Sequence, residues 1–129
     1  MRVLSFGYVE ELLRERHRLL TAAGFQVTSV DTKSNVLKLL ENEEFNVLIV
    51  GHGVPVEQRN EVAVRAKIWR RAGVIFLYRW NINRAEFADA VLSVDCCPEN
   101  LAEAVLTLAA EPGKSDPSRR RRRFFNPGN

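Results

Sequence analysis

The chain has 129 residues, of which 46% are hydrophobic, and a formal net charge of +3. This size suits one domain with one core, and the absence of an apolar run of about 18 residues argues against a transmembrane helix. The N-terminal residues enter a strand pattern directly, so we expect no signal peptide. The cysteines, Cys96 and Cys97, are neighbours, which rarely pair with each other. We therefore expect reduced thiols, no zinc site and a cytoplasmic protein.

The positive charge is concentrated at the C-terminus. Residues 1–110 carry 13 basic and 14 acidic residues, whereas residues 111–129 carry six basic and two acidic ones. The basic segment is also polar and contains proline and glycine. We expect residues 1–110 to form the domain and residues 111–129 to form a basic tail that is disordered or only loosely docked.

The first half of the chain alternates between strand and helix patterns. Residues 3–6 predict a strand, and residues 9–23 predict a helix whose buried stripe includes Arg16. Gly24 is placed to end this helix in the left-handed conformation. Residues 25–30 predict a second strand, and residues 35–43 a second helix capped by Ser34. Residues 46–50 predict a fully buried strand.

The second half continues the alternation. Residues 57–71 predict a helix that buries Val62, Ala66 and Trp69 and ends at Gly73, followed by an apolar strand at 74–78. Residues 83–89 predict a short helix, residues 90–94 a fifth strand, and Pro98 opens the last helix. Strict alternation predicts an α/β fold with a parallel sheet covered on both faces.

Three stretches, "RVLSFGYVEELLRERHRLLTAAGFQV", "FNVLIVGHGVP" and "CPENLAEAV", resemble the receiver domain of bacterial two-component response regulators over about residues 1–110. The resemblance implies a flavodoxin-like (βα)5 three-layer sandwich. Its five-stranded parallel sheet would have the strand order 2-1-3-4-5.

In that family, two acids after strand one and an aspartate after strand three hold Mg²⁺, and this aspartate accepts the phosphoryl group. A hydroxyl residue after strand four and a lysine after strand five bind the phosphoryl oxygens. In this sequence the five positions are Gly7, Tyr8, Gly51, Tyr78 and Val94. The resemblance therefore implies a CheY-like pseudo-receiver with no catalytic residue, metal or cofactor, in which Tyr78 fills the volume of the missing acids.

Other residues suggest binding surfaces. Arg79 and Trp80 follow strand four, where receivers present the switch that partners recognise, and Trp69 lies on a helix rich in basic residues. Each has a simpler interpretation, since Trp80 can pack over the fourth helix and the basic face can be merely solvated. The resemblance also implies a homodimer through the face of the fourth helix, fifth strand and fifth helix.

The favoured function is a stand-alone pseudo-receiver in two-component-type signalling that binds a signalling protein without phosphorylation and is not an enzyme. The alternative is an adaptor that attaches to nucleic acid or an anionic membrane through its tail, whose arginines are Arg119, Arg120, Arg121, Arg122 and Arg123. An acidic protein could also bind this tail.

A third class is an enzyme or small-ligand binder that uses the cleft where the strands end. It lacks an acid–base pair or nucleophile that we can name. The "GHG" sequence could bring backbone close to a phosphate, but we expect a tight turn that needs positive φ at its glycines, with His52 an ordinary loop residue.

Overall fold

The computed structural model describes residues 1–80 and 85–110, and the backbone of residues 123–125. Its elements in chain order are β1 (Arg2–Phe6), α1 (Glu10–Ala22), β2 (Gln26–Val30), α2 (Lys33–Asn42), β3 (Val47–Val50), α3 (Val56–Arg70), β4 (Gly73–Tyr78), β5 (Ala90–Ser93), α4 (Pro98–Ala109) and β6 (Arg123–Phe125). No helix in the described ranges is long and apolar enough to cross a bilayer.

All strand pairs are parallel, and the sheet order is β2-β1-β3-β4-β5-β6. The first five strands have the predicted order 2-1-3-4-5. The sixth strand was not predicted: Arg123 lies opposite Ala90 and Phe125 opposite Leu92. Three residues at the end of an arginine run are too few to show a strand pattern. Residues 111–122 and 126–129, where we expected a disordered or loosely docked tail, lie outside the described residues.

The sheet separates two apolar layers, because successive strand residues point to opposite faces. Alternate residues of the central strands, such as Phe6, Leu48 and Phe76, pack against α2 and α3. The intervening residues, such as Ile49 and Ile75, pack against α1 and α4. This arrangement is the predicted three-layer sandwich.

The connection between β4 and β5 differs from the prediction. Residues 85–89 form turns rather than the expected helix, and residues 81–84 lie outside the described residues. Asp89 accounts for the difference, because its buried carboxylate accepts hydrogen bonds from Lys67 (2.6 Å) and from the Val74 backbone N–H (2.8 Å). Strand β6 pairs along β5, and the homodimer implied by the resemblance stays a prediction.

Helix ends agree in part with the sequence analysis. Gly24 has a φ of 99°, as predicted, whereas α2 is capped by Thr32, whose hydroxyl accepts from the Asn35 N–H. Helix α3 ends at Arg70, and Arg71 takes the left-handed conformation with a φ of 53°. Gly73 begins β4, where an added Cβ would lie 2.8 Å from Cβ of Leu108, so close packing requires this glycine.

Candidate functional site

The carboxyl ends of β1 and β3 lie side by side. The Gly51 N–H donates to the Phe6 carbonyl at 2.8 Å, and a Cβ added to Gly51 would lie 3.4 Å from Cα of Gly7. The predicted positive φ is wrong for Gly51 and Gly53, since Gly24 alone among the described glycines has it. A Cβ on Gly51 would meet Nη2 of Arg16, Cα of Gly7 and the Phe6 carbonyl oxygen, each at 3.4 Å, so little space remains for a larger side chain.

The buried side chain of Arg16 fills the space between these strand ends. Its Nε donates to Oγ of Ser5 at 2.9 Å, and its Nη2 donates weakly to the Phe6 carbonyl at 3.4 Å. The same Nη2 lies 3.1 Å from a Cβ built on Gly7 and 3.4 Å from one built on Gly51. The residue is 7% exposed. The glycines at the two strand ends, Gly7 and Gly51, therefore leave the space that the Arg16 guanidinium occupies.

The role of Arg16 was missed by the sequence analysis, which expected Tyr78 to fill this volume. Tyr78 instead packs, half-buried, against the cluster beneath α2 and α3. The available signal was a basic residue within the apolar stripe of α1, combined with glycines at the ends of two strands. Nothing in the sequence showed that the three positions meet.

The site carries a positive charge. Burial lowers the pKa of Arg16 to about 10, which still leaves the guanidinium protonated at neutral pH. The ion pairs found between described residues involve other basic side chains. Arg16 therefore presents a buried charge that two neutral oxygens solvate.

His52 lies half-buried beside this charge. Its pKa is lowered from 6.5, first by burial and then by the positive charges of Arg79 and Arg16, while Asp95 opposes the shift. The imidazole is therefore neutral at pH 7. In the described parts of the chain, no three His, Cys, Asp or Glu side chains are grouped to hold a metal ion.

Three of the five positions that the resemblance assigns to a phosphorylation pocket lie around Arg16. Gly7, Tyr8 and Gly51 line a small cavity of about 10 Å³ that Arg16 also lines. The exposed Tyr8 ring packs edge-on against Phe6, with centroids 5.3 Å apart, and its hydroxyl hydrogen-bonds to Gln58. The cavity beside Gly7, Tyr8 and Gly51 has room for about one water molecule.

The other two positions lie at the ends of the next strands. The Val94 N–H donates to the Tyr78 carbonyl at 2.7 Å, which joins the ends of β4 and β5. Tyr78 and Val94 complete the same edge of the sheet as Gly7 and Gly51. A side-chain carboxylate or ammonium group is absent from all five positions.

The candidate partner-binding residues Arg79, Trp80 and Trp69 lie on the surface. Arg79 is exposed, and Trp80 is 86% exposed, so Trp80 does not pack over a helix in the described part of the chain. Trp69 was predicted to be buried but is 38% exposed and stacks against the Arg65 guanidinium. Arg119 to Arg122 lie outside the described residues, and Arg123 is described by its backbone alone.

The basic face of α3 is only partly the solvated surface that we predicted. Lys67 is buried in an ion pair with Asp89. Arg70 donates to the carbonyls of Leu40 and Glu41 at 2.7 and 2.8 Å, which joins α3 to α2. Arg65 and its neighbour Ile68 remain exposed.

No family model matches this sequence, and no curated protein matches it. Solved structures do match. A CheY-like receiver domain protein from Methanospirillum hungatei superimposes with a TM-score of 0.77 and 22% identity, covering 89% of this chain and 98% of that one.

Two further structures contain the response regulator TrrA from Thermotoga maritima. TrrA with bound Mg²⁺ and beryllofluoride has a TM-score of 0.73. TrrA in complex with the histidine kinase ThkA has a TM-score of 0.70. Each is 19% identical to this chain and covers 83% of it and 97% of the matched chain. This chain therefore has the fold of the CheY-like receiver domains of two-component signalling.

Proposed function

We propose that this protein is a receiver-fold module that binds a signalling protein without being phosphorylated. The observation that carries the proposal is the Arg16 guanidinium between Gly7 and Gly51. It lies where the resemblance to receiver domains would put the acids that grip Mg²⁺ and accept the phosphoryl group. The chain thus has an internal cation where a receiver needs anionic oxygens.

Electrostatics supports this proposal. Mg²⁺ requires near-octahedral oxygen ligands, usually including carboxylates. Two unit charges 4 Å apart interact by about 4 kcal/mol at an effective dielectric constant near 20, so a dication beside Arg16 would be repelled by about twice that amount. Gly7 and Gly51 supply no side-chain oxygen to offset the repulsion.

The partner-binding surface that we propose is the exposed end of β4, with Arg79 and Trp80. Large aromatic and arginine side chains are enriched among interface residues that dominate binding energy. The matched complex of TrrA with a histidine kinase makes a kinase of that class a reasonable partner to test first. Because the proposed function involves neither phosphorylation nor bound Mg²⁺, binding of the partner should not depend on Mg²⁺ or a phosphoryl donor.

Phosphorylation chemistry provides the test. We expect incubation with acetyl phosphate and Mg²⁺ to leave the intact mass unchanged, and beryllofluoride with Mg²⁺ to leave the amide NMR resonances of Gly7, Gly51 and Gly53 in place. An unmodified receiver domain that retains its acids serves as the positive control. A Mg²⁺-dependent phosphoryl adduct on any carboxylate, including Asp95 or Asp31, would contradict the proposal.

The partner surface has its own test. Trp80→Ala should weaken binding of a candidate kinase. Trp69→Ala reports whether the exposed tryptophan on α3, the other candidate residue, contributes as well. Equal binding by the two variants and the wild type would place the interface elsewhere. The predicted homodimer can be examined in the same samples by analytical ultracentrifugation.

A tail-based adaptor is the second function that the sequence suggests, because the net positive charge is carried by residues 111–129. Replacing Arg119 to Arg122 by glutamine keeps the β6 residues and removes four charges. If this variant loses binding to anionic vesicles or nucleic acid but retains the protein partner, the tail has a separate electrostatic role. Loss of the protein partner would favour the tail as the main binding element.

A further inference from the structure

An open cleft of about 100 Å³ lies between α1 and α4, near the ends of β4 and β5. Its walls are largely aliphatic, and they include Leu12, Leu19, Leu77, Val94, Pro98 and Leu101. Arg16 also lines this cleft, as well as the small cavity beside Gly7 and Gly51. Arg16 therefore borders both the apolar cleft and the small cavity at the ends of β1 and β3.

The protein uses only part of the hydrogen-bonding capacity of Arg16, and among the described residues no Arg16 nitrogen is both buried from solvent and unbonded. A guanidinium carries five N–H groups, and the two hydrogen bonds to Ser5 and Phe6 account for two of them. The ion pairs between described residues leave Arg16 without a carboxylate. A buried arginine commonly pairs with a planar oxyanion, for which its fork of donors is shaped.

The other polar groups around the cleft leave this charge uncancelled. Glu15 lines the cleft but forms an exposed ion pair with Arg18 at 2.6 Å. Burial raises the pKa of Cys96, so its thiol is neutral at pH 7, and Ser93 is uncharged. Asp95, next to Cys96, is exposed to solvent.

We propose that this cleft binds a short-chain aliphatic monocarboxylate. The carboxylate accepts hydrogen bonds from Arg16, and the alkyl chain lies against the leucine side chains. The proposal shares Arg16 with the proposed signalling function but not the Arg79–Trp80 surface, so carboxylate binding and partner binding can fail separately.

The size and lining of the cleft limit the ligand. An enclosed apolar cavity of about 150 Å³ accepts benzene, so this smaller, open cleft suits a chain of about three to six carbons. Aliphatic walls favour an alkyl group over further polar groups, because an unpaired polar group in such a place costs free energy. Inorganic phosphate would bury additional charged oxygens without enough donors.

The test uses the full-length protein and compounds in matched pairs. Acetate, butyrate, hexanoate and inorganic phosphate are each titrated into the protein. Butanol and hexanol are the uncharged controls for butyrate and hexanoate. Binding is followed by NMR of the leucine methyl groups. Affinity should rise about fourfold for each added methylene. Butyrate and hexanoate should each bind at least about tenfold more tightly than the alcohol of the same length, because of charge-assisted hydrogen bonds to Arg16.

Two variants test whether Arg16 supplies the positive charge that binds the carboxylate. Arg16→Met should bind hexanoate and hexanol with similar affinity, whereas Arg14→Met, which removes an exposed arginine of the same helix, should behave as the wild type. The comparison of acids with alcohols in the wild type is decisive even if Arg16→Met fails to fold. Equal binding of acid and alcohol, no dependence on chain length, tighter binding of phosphate, or no binding at all would overturn the proposal.

Discussion

Two buried basic side chains of this protein have opposite surroundings. Lys67, at the amino ends of β4 and β5, forms an ion pair of 2.6 Å with Asp89, and the two side chains are 9% and 4% exposed. Arg16, at the carboxyl ends of β1 and β3, is equally buried but is solvated by a hydroxyl and a carbonyl. A charge buried for structure alone is expected to have a counter-ion. The comparison therefore points to a role for Arg16 beyond stability.

The largest effect is expected where the buried pair is broken. Lys67→Met leaves the Asp89 carboxylate buried without its cation, and it should lower the free energy of unfolding by about 3–5 kcal/mol. Urea denaturation measures the change. The double variant Lys67→Met/Asp89→Asn should recover part of the loss, and an equal loss in the single and double variants would contradict this interpretation.

A smaller effect is expected where a methyl group is forced against Arg16. Gly7→Ala places its Cβ 3.1 Å from Nη2 and should cost about 1–3 kcal/mol in denaturation experiments. Gly53→Ala is the matched control, since its Cβ meets only a Val9 methyl at 3.5 Å. The cost of Gly7→Ala should fall in an Arg16→Met background, whereas additive effects would show that the two residues are not coupled.

Removal of the unpaired charge should change stability little. In Arg16→Met, the lost hydrogen bonds are offset by the removal of a buried charge, so we expect a change in unfolding free energy within about 1 kcal/mol. A loss as large as that of Lys67→Met would mean that Arg16 stabilises the fold in the same way as the buried pair.

The smallest effect is on the titration of His52. Burial and the charges of Arg79 and Arg16 lower its pKa below 6.5, so Arg16→Met should raise this pKa and Asp95→Asn should lower it. NMR titration of the imidazole resonances measures both shifts. As the pH falls below 6.5, the unfolded chain takes up this proton first, so His52 makes the folded state slightly less stable in acid. An unchanged pKa in Arg16→Met would indicate that the two groups do not interact.

Most of the fold could be predicted because periodicity and chain order carry that information. The apolar residues of β3 and β4 identified the central strands, and strict alternation identified the parallel sheet. Residues 85–89, the described part of the predicted helix at 83–89, form turns instead, and Asp89 there contacts the distant Lys67 and Val74. Strand β6 was missed because its pairing with β5 is also a long-range contact.

The candidate site was less predictable from the sequence. The resemblance to receiver domains predicts that Gly7, Tyr8 and Gly51 stand where that family has acids, and this assignment stays a prediction. The group that lies beside the two glycines could not be predicted, because Arg16 reaches both of them across the sheet from another element. Its lack of a counter-ion is likewise a property of the folded chain.

The most direct test of the account is a Mg²⁺ titration followed by the amide resonances at the carboxyl ends of β1 and β3. The wild type should show no saturable shift at millimolar Mg²⁺. The variant Gly7→Asp/Gly51→Asp/Arg16→Val, which replaces the cation by two carboxylates, should show one. Saturable binding of Mg²⁺ by the wild type at Gly7 and Gly51 would contradict the claim that Arg16 occupies the place of the metal.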